Sequence, residues 1–142
     1  MGGGGWTRSA FVSYSASKGM KYDAKTDSIA GDYSVQEVFK ERSLADELNP
    51  KNVIRECCDS EEHPNTIPVI LALDVTGSMG KSSIEVGKKL NVVMTDLYNK
   101  VKDVEFMIMA IGDLSYDDYP IQASQFESDI RIAEQLDKVY FE

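Results

Sequence analysis

Two apolar runs dominate the chain, Ile67-Pro-Val-Ile-Leu-Ala-Leu73 and Val104-Glu-Phe-Met-Ile-Met-Ala-Ile111. Runs of this length bounded by turn residues predict strands buried on both faces, as in parallel sheets. Between them, Val86, Leu90, Val93, Leu97 and Val101 recur at spacings of four and three, which predicts one long helix over about 81–102 with a continuous buried stripe. Lys100 and Lys102 at its end suit the negative pole of the helix dipole. Strand, helix, strand in this order is a βαβ unit with a right-handed crossover. Beyond the turn Asp117-Asp118-Tyr119-Pro120, residues 121–126 predict a third strand, antiparallel and at the sheet edge. A last helix over about 128–139 places Ile132, Ala133, Leu136 and Tyr140 on one face.

Upstream the periodicity is weaker. Ser34-Val-Gln-Glu37 matches a capping box, and Val35, Val38, Phe39 and Leu48 give a helical face that Asn49-Pro50 ends. Asn52 to Cys57 reads as a short strand, and Asp59 to Asn65 as an acidic, solvated turn. Residues 1–33 are rich in Gly, Ser, Ala and Lys, which predicts a partly flexible arm. Its aromatics, Trp6, Phe11, Tyr14, Tyr22 and Tyr33, predict that part of the arm docks onto a surface. The chain thus divides into the arm at 1–33, a helix and short strand at 34–63, and an α/β segment at 64–142.

At 142 residues the chain holds one ordinary domain. A net charge of −9 disfavours nucleic acid, because phosphate contacts need clustered Lys and Arg. The two cysteines are adjacent, Cys57-Cys58, and His63 is the sole histidine, so neither a disulfide framework nor a zinc cluster is expected. Free thiols, no membrane-spanning run and no signal-peptide start predict a cytoplasmic location. Ser–His catalysis is not expected, since His63 lies in a polar turn and neither a G-x-S-x-G elbow nor a P-loop occurs.

The first apolar run ends in Asp74-Val75-Thr76-Gly77-Ser78-Met79. Residues just past the carboxyl end of such a strand lie where open α/β sheets bind ligands. Asp74, Thr76 and Ser78 offer hard oxygen donors that suit Mg²⁺, Mn²⁺ or Ca²⁺. An alternative is that Thr76 and Ser78 merely cap the next helix. The motif resembles the Asp-x-Ser-x-Ser first motif of the metal-ion-dependent adhesion site in von Willebrand factor A domains, with Thr76 in place of the first Ser. The Gly-Ser-Met continuation is common in bacterial and phage members.

The resemblance covers about 64–142, the first half of that domain. It implies a three-layer, Rossmann-like α/β half-domain, a parallel βαβ with an antiparallel edge strand, here with an N-terminal extension. It also implies metal-mediated protein binding rather than catalysis: Mg²⁺ (or Mn²⁺ or Ca²⁺) on Asp74, Thr76 and Ser78, completed by an acidic residue of a partner protein. The family's later Thr and Asp ligands have no counterpart in the sequence. Asp113, at the end of the second strand, is a candidate to hydrogen-bond the metal's ligands without touching the ion, with a loop cap the favoured role. In the family the motif strand is central, so here the 67–73 edge is expected to lie open unless a second copy, another chain or residues 1–60 cover it. Two other readings stay open. Asp74-Val-Thr-Gly-Ser also looks like the first motif of haloacid dehalogenase-type phosphotransferases, which would make Asp74 a nucleophile. A metal-independent assembly role through the 67–73 edge is the third.

Overall fold

The computed structural model describes residues 4–142. The Gly-rich start expected to be flexible therefore lies partly outside the described residues. The rest of the arm is folded. Helix α1 (Arg8–Ser17) begins at Thr7, whose side chain accepts the Ala10 N–H at 3.2 Å. A hairpin of β1 (Lys21–Asp23) and β2 (Ser28–Ala30) comes next, paired Lys21↔Ala30 to Asp23↔Ser28. Phe11 from α1 and Ile29 from β2 are both buried in the main core, which is where the arm docks. Burying a ring of this size contributes about 2–3 kcal/mol.

The Ser34 capping box forms as expected, with the Ser34 hydroxyl on the Glu37 N–H and the Glu37 carboxylate on the Ser34 N–H. It starts only one turn of helix, α2 (Val35–Val38), because Phe39 turns extended to enter the core. Leu48 reaches the same core from a short 3₁₀ turn, Asp46–Leu48. The strand expected over 52–57 does not form. Asn52 adopts a left-handed turn conformation, no strand of the sheet pairs with this segment, and Ile54 stays 81% exposed.

The main sheet comprises β3 (Ile67–Asp74), β4 (Val104–Ile111) and β5 (Ile121–Ala123), in the order β3-β4-β5. β3 and β4 are parallel, in register from Ile67↔Val104 to Asp74↔Ile111. β5 runs antiparallel to β4 through Met109↔Ala123 and Ile111↔Ile121, and an isolated bridge Phe106↔Glu127 extends that edge. The connection between β3 and β4 is helical but divided, α3 (Gly80–Lys88) and α4 (Leu90–Lys100), with Lys89 near φ −99° and ψ 9° at the join. α5 (Arg131–Asp137) closes the fold with Ile132, Ala133 and Leu136 buried, as the spacing predicts.

Alternation along β4 sends Val104, Phe106, Ile108 and Ala110 to one face, where they join Leu73 of β3 and the buried residues of α1, α3, α4 and α5. The opposite face carries a smaller cluster, Met107, Ala123 and Phe126, with Cys57 from irregular chain packed against it. The fold is mixed α/β, and among the described residues the buried apolar side chains of α1, α3, α4 and α5 belong to the cluster on the first face. The consequence for β3 is direct. It is not buried on both faces: Ile67 and Ile70 are 47% and 50% exposed, and the expectation of an open 67–73 edge holds. Among the described residues no helix is long and apolar enough to cross a membrane.

Candidate metal site

The motif loop leaves the sheet at the carboxyl end of β3. Val75, almost fully buried, continues the ladder one step by donating its N–H to the Ile111 carbonyl at 3.0 Å. That fixes Asp74 and Thr76 on either side of an anchored residue. Thr76 then opens a 3₁₀ turn, Gly77–Met79, closed by the Met79 N–H on the Thr76 carbonyl at 2.8 Å. The Ser83 hydroxyl of α3 reaches back to the Asp74 carbonyl at 3.4 Å, tying the helix start to the strand end.

Within this frame Asp74 and Thr76 converge. Asp74 Oδ1 accepts the Thr76 hydroxyl at 2.6 Å and the Thr76 N–H at 2.9 Å. These two bonds, the hydroxyl first, hold the exposed Asp74 carboxyl below its usual range, so it is ionised at neutral pH. Two oxygens this close can share one hard cation, since neighbouring ligands of an octahedral ion at about 2.1 Å stand about 3 Å apart. Ser78 lies on the same turn, exposed, and makes no side-chain hydrogen bond among the described residues. The donor set of one carboxylate and two hydroxyls thus fits a Mg²⁺-like ion in kind. Among the described residues, no three His, Cys, Asp or Glu side chains group in a way that could hold a metal.

Asp113 is committed to its own turn. Its Oδ1 accepts the Ser115 N–H at 2.7 Å, and its N–H donates to Asp117 Oδ2 at 2.6 Å. Asp117 tucks in so closely that a Cβ on Gly112 would lie 2.3 Å from Oδ2. Asp113 is therefore a loop cap at the end of β4, bonded to none of Asp74, Thr76 or Ser78.

A cleft of about 740 Å³ opens beside the motif loop, with Gly77 on one wall and Phe39, Lys40, Arg42 and Tyr140 among the others. Phe39 and Phe141 pack together in its lining, ring centroids 4.6 Å apart and planes tilted by 38°. The cleft has no sequence signature, because residues 38–42 carry no motif and meet the loop only through tertiary packing. Nor does the sequence mark out Glu105, fully buried on β4. Its side chain faces the Cys57 thiol, which burial first, then Glu105, pushes up. His63 is engaged on both ring nitrogens, with the Gly4 carbonyl at 2.6 Å and Asp103 at 3.2 Å, and so takes no part in a cluster with the cysteines.

Compared with known protein families, with curated proteins and with solved structures, the chain matches none.

Proposed function

We propose that the chain is a divalent-metal-dependent protein-binding module of the kind that von Willebrand factor A domains exemplify. Asp74, Thr76 and Ser78 would hold Mg²⁺, or Mn²⁺ or Ca²⁺, and the ion would supply an open coordination position for an acidic residue of a partner protein. The observation that carries this reading is the convergence of the Asp74 carboxylate and the Thr76 hydroxyl, 2.6 Å apart, just past the carboxyl end of a parallel strand. The free thiols Cys57 and Cys58 fit a reducing cytosol as its setting.

The phosphotransferase reading is less well supported. A nucleophilic Asp74 needs a neighbouring cation to neutralise the phosphoryl charge alongside the metal. Among the described residues no Lys or Arg pairs with Asp74, and Thr76 accounts for the lowering of its pKa. The phosphotransferase family also needs a further acidic pair, and Asp117, in the acidic turn after β4, accepts the Asp113 N–H instead.

Titration with Mg²⁺ and Mn²⁺ by calorimetry, beside Asp74→Ala, tests the proposal. Saturable binding that disappears in Asp74→Ala is the expected result. Binding that survives the substitution would place the ion elsewhere. Metal-dependent hydrolysis of p-nitrophenyl phosphate, lost in Asp74→Ala, would instead favour the phosphotransferase.

A further inference from the structure

The free edge of β3 has a hydrogen-bonding pattern that matches itself. Ile67 N–H donates to the Asp103 carbonyl and Val75 N–H to the Ile111 carbonyl, at 2.8 and 3.0 Å. In a parallel ladder this commits the backbone groups of odd-numbered β3 residues to β4. Those of Pro68, Ile70, Ala72 and Asp74 therefore point away from the sheet. Pro68 has no N–H to offer, and the Asp74 carbonyl already accepts the Ser83 hydroxyl. What remains at the edge is three donors, on Ile70, Ala72 and Asp74, and three acceptors, on Pro68, Ile70 and Ala72.

We propose that two copies of the chain pair antiparallel through β3 about a twofold axis at Leu71, joining their sheets into one of six strands. In this register Ile70 lies opposite Ala72 of the second copy and exchanges both backbone bonds with it. Asp74 N–H meets the Pro68 carbonyl of the second copy, and the one donor that Pro68 lacks falls opposite the one carbonyl that Ser83 already occupies. Six new hydrogen bonds form and no edge group is left over. Centring the pairing on Ile70 instead leaves the Ala72 carbonyls facing Pro68, without a donor. Centring it on Ala72 leaves the Pro68 carbonyl opposite Thr76 N–H, which Asp74 Oδ1 already takes.

The side chains agree with this register. Ile70, half exposed, stands beside the small Ala72 of the second copy, so a large residue meets a small one. From Ile67 to Leu73 there is no charge, so no like charges oppose across the junction, and none of the lysines that blunt open edges is present. The acidic surface works against association: two copies at −9 repel, and salt screens that repulsion. Pairing is therefore expected to tighten as ionic strength rises.

Sedimentation of the whole chain at two ionic strengths is the test, with Ile70→Lys and Ala72→Pro as variants. Proline at Ala72 removes an N–H that the fold does not use, and lysine at Ile70 leaves the backbone untouched. A dimer is expected, with each folded variant weakening it by about tenfold or more. Register is read by oxidative cross-linking in a Cys57→Ser/Cys58→Ser background. Leu71→Cys lies on the axis and is expected to give a covalent dimer, whereas Val69→Cys, four residues from its own copy along the strand, is not. A chain that stays monomeric at about 0.1 mM overturns the proposal, as does a dimer that folded Ile70→Lys leaves intact or one cross-linked better at Val69 than at Leu71.

Discussion

Trp6 Nε1–H donates to the Oδ1 of Asn91, a residue 1% exposed on α4, at 2.9 Å. Asn91 Nδ2 in turn donates to the Asp27 carbonyl at 3.0 Å. One buried amide therefore holds both the start of the arm and the turn of the β1–β2 hairpin. The arm is a structural part of the α/β core rather than an appendage. Asn91→Ala leaves the indole N–H and the Asp27 carbonyl without the partner that joins them. The expected cost is about 1–3 kcal/mol. A thermal melt checks this, and an unchanged Tm would mean that the arm contributes nothing to core stability.

The extension also presses on the helix that follows the motif loop. A Cβ on Gly80 would lie 2.4 Å from Val35 Cγ2, in a side chain too stiff at χ1 to swing away freely. Gly80 is the first residue of α3, where helix propensity favours alanine by less than the ~1 kcal/mol of a helix interior. Overpacking of about 1–3 kcal/mol outweighs it. Gly80→Ala is thus expected to lower stability, and Val35→Ala to restore it in the double variant. Urea unfolding of the four chains measures the coupling; additive effects would show that the contact does not constrain α3.

Much of residues 67–137 is legible in the sequence because each segment buries one face and so keeps its period. Ile132 and Leu136 on α5, the antiparallel strand at Ile121 and the open edge at Ile67–Leu73 all follow from spacing and strand order. Asp74 and Thr76 are legible as a pair because only one residue, Val75, separates them. The first 48 residues are less legible. Phe11, Ile29, Phe39 and Leu48 enter the core from separate short elements, and the single helical face expected to carry Phe39 and Leu48 is broken where Phe39 turns extended. The Asn52–Cys57 segment misleads for the opposite reason: its alternation is real, but alternation makes a strand only where a neighbour offers a ladder. The cleft between Gly77 and Lys40 is a product of packing and has no local signature.

His63 couples the arm to pH. The Gly4 carbonyl first, then Asp103, hold its imidazolium and raise its pKa above the ordinary 6.5, while burial opposes them. A group raised in the folded state adds stability that is fully present below its unfolded pKa. That stability is lost as pH rises through the higher folded value. The chain is therefore expected to be destabilised from about pH 6.5 upward relative to His63→Gln. Melting both proteins between acid and alkaline pH gives the difference directly. A difference that grows with pH would contradict the assignment.

Thr76 separates the metal reading from a plain turn. Its hydroxyl now donates to Asp74 Oδ1, and as a ligand it would turn a lone pair to the cation while the carboxylate binds the same ion. Thr76→Val removes that oxygen and keeps the shape of the side chain; Thr76→Ser keeps the oxygen. Without the hydroxyl the Asp74 carboxyl loses the larger of the two bonds that lower its pKa and is expected to titrate closer to its ordinary value. Asp74 still remains ionised at pH 7, so any loss of Mg²⁺ binding reports the missing ligand rather than a change of charge. Calorimetry is expected to show Mg²⁺ affinity falling about tenfold or more in Thr76→Val and holding in Thr76→Ser. Equal affinity in the wild type and Thr76→Val would leave Thr76 as a turn-former alone and move the ion, if one binds, to Asp74 and Ser78.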